Sequence, residues 1–248
     1  MLYVMSSLES NILSFAQAKK DFTVGEIRTF IASVAPSTPD STILWRLHDM
    51  VARGSLRRIG RGRYTVPGKE VFSFVPSDVL RGKTLALAQA FPYAALCVWD
   101  IDILNSFSRH QFSVSFDIVE IEKVAVAPAQ EFLEDYAPPC VVESALKHVP
   151  YDDLSRKRLT VVKPLVGESP LERDAGIPTP SVEKIIVDLY CDGPVFSFLQ
   201  GNETMTIIEA LMNRYAINSS KLIRYASRRG KEEEFQKIVS KFMANIAE

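Results

Sequence analysis

A chain of 248 residues with 47% hydrophobic and 24% charged residues can bury one large core or a few smaller ones, and its composition excludes disorder. Its formal net charge is −1, so no overall field selects one class of partner. Cys97, Cys140 and Cys191 lie far apart beside apolar neighbours, without Cys-x-x-Cys or Cys/His metal spacing. Free thiols in a reducing cytosol are expected, with no metal and no cofactor.

The first ten residues, MLYVMSSLES, lack the basic start and long apolar core of a signal peptide. Residues 7–20 read as a helix with Leu8, Ile12, Leu13, Phe15 and Ala16 on one side. Thr23 and Glu26 then form a capping-box pattern ahead of Ile27, Phe30, Ile31 and Val34 at helical spacing. Two prolines break the chain in APSTPD, and Asp40 or Ser41 caps a third helix that Gly54 ends. Ile43, Leu47, Met50 and Val51 form its apolar stripe, and Thr42, Trp45, Arg46, Asp49 and Arg53 its opposite face.

The next stretch, SLRRIGRGRYTV, reads as two short strands joined through Gly60-Arg61-Gly62. Between Ser41 and Val66 stand Arg46, Arg53, Arg57, Arg58, Arg61 and Arg63 against the single acid Asp49, which points to an anionic partner. Three helices followed by a basic hairpin is the order of a winged helix-turn-helix, assigned to residues 1–68 with Pro67-Gly68 as its boundary. The expected mechanism places the third helix in a DNA major groove and the hairpin along the phosphates. The candidate DNA-binding residues are Ser41, Thr42, Trp45, Arg46, Asp49, Arg53, Arg57, Arg58, Arg61 and Arg63. Any single arginine of this set also fits a merely solvated surface.

Residues 70–178 alternate short β-like runs with helices and are assigned to a central mixed α/β domain. VFSFV, AALCVWD, FSVSFDIVEI and LTVVKPLV read as strands. SDVLRGKTLALAQAF (capped by Ser77), IDILNSFS and APAQEFLEDY read as helices. The longest uncharged stretch, 84–99, is too short and too interrupted by Gln89 and Pro92 to span a bilayer. Residues 179–248 read as a helical region packing on the central domain, its first helix capped by Ser181 and its last opened by Glu232, Glu233 and Glu234. The whole is an α+β or α/β multidomain chain, soluble and cytoplasmic.

Catalytic constellations are scarce. His48, His110 and His148 stand alone. Asp100 and Asp102 stand two apart, and the later stretch with Asp117, Glu120, Glu122 and Lys123 resembles a nuclease metal site, but Ile121 stands where an acid is needed two residues before Lys123. The GKT at 82–84 lacks the earlier glycine of a P-loop. Lys221, Arg224 and Arg228, with Arg229 adjacent, line one face of the penultimate predicted helix, which fits a solvated face or a second basic contact surface.

Four stretches, VWDIDILNSFSRHQ, IVEIEKVAVAPAQEFL, PSVEKIIVDLYCD and KLIRYASRRGK, resemble the AbiEi family, antitoxins of type IV toxin–antitoxin (abortive infection) systems of phage defence. The resemblance implies a transcriptional autorepressor that binds inverted repeats in double-stranded DNA. It also implies a functional partner, a nucleotidyltransferase-like toxin countered without a stable complex; no membrane contact is expected from the sequence itself. The expectation is therefore a repressor and antitoxin, not an enzyme. Two alternatives stay open: a ligand-sensing winged-helix regulator, and a metal-dependent nuclease or nucleotide-processing enzyme in the central domain.

Overall fold

The computed structural model describes residues 7–17, 19, 21–52, 55–66, 70–199 and 201–247. They form two compact units, one of Met1–Phe72 with Met212–Lys221, the other of Ser73–Leu211 with Leu222–Glu248. The fold is mixed α/β, with three small sheets and a helical C-terminal segment.

In the first unit α1 (Ser7–Gln17), β1 (Phe22–Thr23), α2 (Val24–Val34) and α3 (Asp40–Ala52) precede the strands β2 (Arg57–Gly60) and β3 (Arg63–Thr65). Apolar residues at helical spacing give each helix one buried side. Ile12 and Ala16 of α1, Ile27 and Ile31 of α2, and Ile43, Leu47 and Met50 of α3 close one core with Phe22 and Leu56. The strands pair antiparallel in the order β1-β3-β2, with Phe22 opposite Tyr64 and Arg58 opposite Tyr64 on its other side. Phe22 and Tyr64 stack with ring centroids 5.8 Å apart. Gly62 supplies the left-handed φ of 67° that the hairpin turn requires. Its carbonyl accepts from Val24 N at 3.0 Å, which anchors the turn to the start of α2. Residues 212–221 join this unit through Glu70, whose amide donates to the Arg214 carbonyl at 2.8 Å.

The capping box read from the sequence is present. Thr23 Oγ1 accepts from Glu26 N at 3.2 Å, and Glu26 Oε2 accepts from Thr23 N at 2.7 Å. The Lys19 ammonium, donating to Glu26, and then the Thr23 amide hold the Glu26 carboxyl at about 2, below an ordinary 4.5. The folded value is the lower one, so this contribution is complete above the ordinary carboxylate range and lost as pH falls through about 2. Thr23→Ala is expected to cost about 1 kcal/mol at neutral pH. Urea unfolding of the full chain measures it.

The second unit opens with α4 (Asp78–Ala90), β4 (Leu96–Asp100), β5 (Phe116–Ile121), α5 (Val126–Tyr136) and β6 (Cys140–Val142). Next come α6 (Glu143–Leu146), α7 (Tyr151–Arg156), β7 (Leu159–Pro164) and the hairpin β8 (Leu171–Asp174) and β9 (Ile177–Pro180). Along the chain follow α8 (Val182–Cys191), α9 (Glu203–Arg214), α10 (Ser219–Arg228) and α11 (Glu232–Ala247), of which the last residues of α9 and the first of α10 belong to the first unit. The sheet order is β4-β5-β7-β6, with β4 antiparallel to β5 and the other pairs parallel. Every residue of β5 is buried, as expected of a parallel strand covered on both faces.

Several expectations change. VFSFV pairs with no strand; Phe72 and Phe74 turn inward while Val71 and Val75 stay exposed, so its alternation belongs to an extended connection. The sequence reading passed over β1, β6, β8 and β9, each two to four residues long. FSVSFDIVEI is a strand only from Phe116, and IDILNSFS forms a 3₁₀ helix over Ile101–Ser106. Ser77 and Ser181 cap their helices as expected, accepting from Leu80 N at 3.2 Å and Lys184 N at 3.4 Å. Gly54 and Pro67-Gly68 lie outside the described residues.

Candidate nucleic-acid interface

Helix α3 buries Ile43, Leu47 and Met50 and leaves Ser41, Thr42, Leu44, Trp45 and His48 exposed. Trp45 is 59% exposed and Leu44 41%. Asp49 is half-buried, and Arg53 lies outside the described residues.

Arg46 departs from its expected outward position. Its side chain is only 16% exposed, with Nη1 3.7 Å from Glu9 Oε2 of α1 and 3.3 Å from Asp49 Oδ2. At 100° per residue, position 46 lies three residues after Ile43 and one before Leu47, at the margin of the buried stripe. There the acid on α1 draws the guanidinium inward. The same guanidinium lies over the Trp45 ring, 4.9 Å from its centroid. Arg46 thereby braces the indole.

The hairpin follows α3 closely, since Leu56 N donates to the Met50 carbonyl at 3.1 Å. All four residues of β2 are exposed. Among the described residues no acid pairs with Arg57, Arg58 or Arg61, and Arg58 Nε donates only to the Gly60 carbonyl, at 3.1 Å. Arg63 differs, because its Nη2 lies 2.6 Å from Asp21 Oδ2. Among the described residues three of the four hairpin arginines therefore hold no ion pair, and they cluster within five residues of chain.

The basic residues near the C-terminus do not form one free face. Arg228 pairs with Glu168. Arg229 turns inward, with Nη1 2.8 Å from Asp188 Oδ1 and a second contact to Asp192. Arg224 is exposed and Lys221 half-buried. Periodicity alone could not reveal the acids that meet Arg228 and Arg229, because those acids lie far away in sequence.

The second unit holds a buried ion network that the sequence reading missed. Lys184 is fully buried, with Nζ 2.6 Å from Glu120 Oε1 and in contact with Asp188 one helical turn on. Burial opposes its charge, yet Asp188 and Glu120 outweigh that penalty and hold its pKa well above the ordinary lysine value. Tyr225 donates its hydroxyl to Asp188 Oδ1 at 2.8 Å, and Trp99 Nε1 donates to Glu120 Oε1 at 3.2 Å. Elsewhere on β5, Lys83 Nζ lies 2.9 Å from Asp117 Oδ2, and Arg158 Nη2 lies 2.6 Å from Asp117 Oδ1. Burial pushes the Asp100 carboxyl up to about 6 against the opposing pull of Arg158. The two buried acids of the nuclease-like stretch are thus both ion-paired, Asp117 to buried Lys83 and half-buried Arg158, Glu120 to buried Lys184. The signal available in the sequence was Lys184 and Asp188 at i,i+4 inside EKIIVDLYCD, a helix whose remaining residues are apolar apart from Glu183.

Among the described residues no helix is long and apolar enough to cross a membrane. Cys97 and Cys140 are buried free thiols, and Cys191 is a half-buried one. Residues 42–245 match a family model described as a family of unknown function (DUF6577). No curated protein matches the chain.

Proposed function

The chain belongs to the DUF6577 family, whose function is unknown, and we propose from its own geometry that its N-terminal unit binds duplex DNA as a winged helix-turn-helix and represses transcription. One observation carries the reading. The elements run helix, strand, helix, helix, hairpin, the strands pair as β1-β3-β2, and the exposed face of α3 is followed by a hairpin with three arginines that meet no acid among the described residues. In that frame α3 enters the major groove, and Arg57, Arg58 and Arg61 lie along the phosphates. The antitoxin half of the proposal rests on the resemblance of the four quoted stretches to the AbiEi family. On that reading the operator is an inverted repeat, and the chain counters a nucleotidyltransferase-like toxin.

The test is selection from a random-sequence duplex pool by the full chain. A sequence with inverted-repeat symmetry is expected to be enriched; a pool unchanged from the input would overturn DNA binding. A full chain carrying Arg57→Ala, Arg58→Ala and Arg61→Ala should lose repression and still relieve growth arrest by a co-expressed nucleotidyltransferase-like toxin. Loss of both would tie neutralisation to the DNA-binding unit.

One observation favours the ligand-sensing alternative as an addition. An apolar cavity of about 410 Å³ lies among α4, residues 94–96 and the β8–β9 hairpin, lined by Leu85, Ala88, Leu96, Leu171, Ile177 and Pro178, with Arg173 also on its wall. That volume falls in the range of small-molecule sites. Thermal-shift screening of small apolar acids would test it.

A further inference from the structure

We infer that the outward face of α3 selects thymine, reading C5-methyl groups through Leu44 and Trp45 rather than guanine through Arg46. The inference rests on the DNA-binding reading and adds the base that is read. Guanine is read by a free arginine or lysine, adenine by asparagine or glutamine, and cytosine by a carboxylate acceptor. Among the described exposed residues of α3, only Asp40 belongs to those classes, and its Oδ2 is held 3.2 Å from Arg28 Nε of α2. Arg46, the one arginine of the described helix, is tied to Glu9 and Asp49.

The remaining large groups on the face are the Leu44 side chain, the Trp45 indole and the His48 ring. Ser41 and Thr42 add hydroxyls that bond to any base. Apolar contact with a methyl is therefore the discriminating chemistry this face offers most strongly. The bound Arg46 contributes by position, since its guanidinium over the Trp45 ring holds the indole in one orientation. Exposed leucine and tryptophan beside each other are costly in water, and a methyl-lined groove removes that exposure.

The experiment takes the duplex enriched by the full chain and resynthesises it with deoxyuridine in place of thymidine, which removes the methyls and keeps every hydrogen-bonding edge. Wild-type chain is expected to bind the uracil duplex about four-fold more weakly for each thymine methyl that α3 touches. Leu44→Ala/Trp45→Ala should bind both duplexes alike, and bind the uracil duplex about as well as wild type does. Equal binding of thymine and uracil duplexes by wild type would overturn the inference, and so would a preference that survives in the double variant. The wild-type comparison needs no variant to fold. A chain that enriches no duplex overturns the DNA-binding reading and this inference with it, whereas enrichment without a uracil effect overturns this inference alone.

Discussion

Lys184→Met is expected to destabilise the second unit by about 3–5 kcal/mol, because it leaves buried carboxylates without their cation. Lys184 is fully buried between Glu120 and Asp188. Glu120 Oε2 already lacks a hydrogen-bond partner, so the loss of Lys184 would leave a buried carboxylate charge held only by the Trp99 indole N–H. Asp188 would keep Tyr225 and Arg229, which makes Glu120 the more exposed to the loss. Urea unfolding followed by emission of the buried Trp99, whose Nε1 donates to Glu120, should show a lowered midpoint with an unchanged slope. Adding Glu120→Gln to Lys184→Met should recover part of the loss, since the stranded group is then neutral. A midpoint that barely moves would mean that the network is not what holds this unit together.

The second large effect concerns the hairpin. Replacing Arg57, Arg58 and Arg61 together with alanine is expected to weaken binding to all duplexes and to flatten the log-affinity against log-salt slope by about 0.9 for each arginine. Phosphate contacts carry no sequence information, so selected and scrambled duplexes should weaken in parallel. Arg63→Ala is expected to change the slope less, because its guanidinium is already held 2.6 Å from Asp21. A salt series on both duplexes with each variant makes the comparison. An effect confined to the selected duplex would move the hairpin from the backbone to the bases.

What the sequence disclosed follows the reach of the interactions involved. Helix starts were legible at Thr23, Ser77 and Ser181, because a cap and the backbone N–H that donates to it lie within three residues. The turn at Gly62 was legible for the same reason. The two-residue β1 was not, since its pairing partner Tyr64 lies some forty positions on and two residues have no period. The β8–β9 hairpin turns at Ala175-Gly176 with φ of 45° and 86°, and its LERD and IPTP strands carry charges and prolines in place of an apolar alternation. VFSFV alternates correctly yet stays unpaired, because alternation reports one buried side and not a neighbouring strand.

The candidate interface divides in the same way. The buried stripe of α3 and the basic charge of the hairpin could be read from spacing and composition, but the pairing of Arg63 with Asp21 could not. The capture of Arg46 by Glu9 could not, because it needs α1 and α3 in contact. The α8 stripe was legible, but burial of its charged side chains depends on Glu120, 64 residues away.

The central claim is that α3 faces DNA, and the chain's two tryptophans test it directly. Trp45 is 59% exposed on α3 and Trp99 is 1% exposed in the second unit. Acrylamide quenching of the full chain should therefore report Trp45 almost alone, with Trp45→Phe as the control that removes the accessible signal. Saturation with the selected duplex is expected to shield Trp45 from acrylamide and leave the Trp99 component unchanged. A chain that binds the duplex fully while Trp45 stays as open to acrylamide as before would contradict the account, for DNA would then be held by another surface.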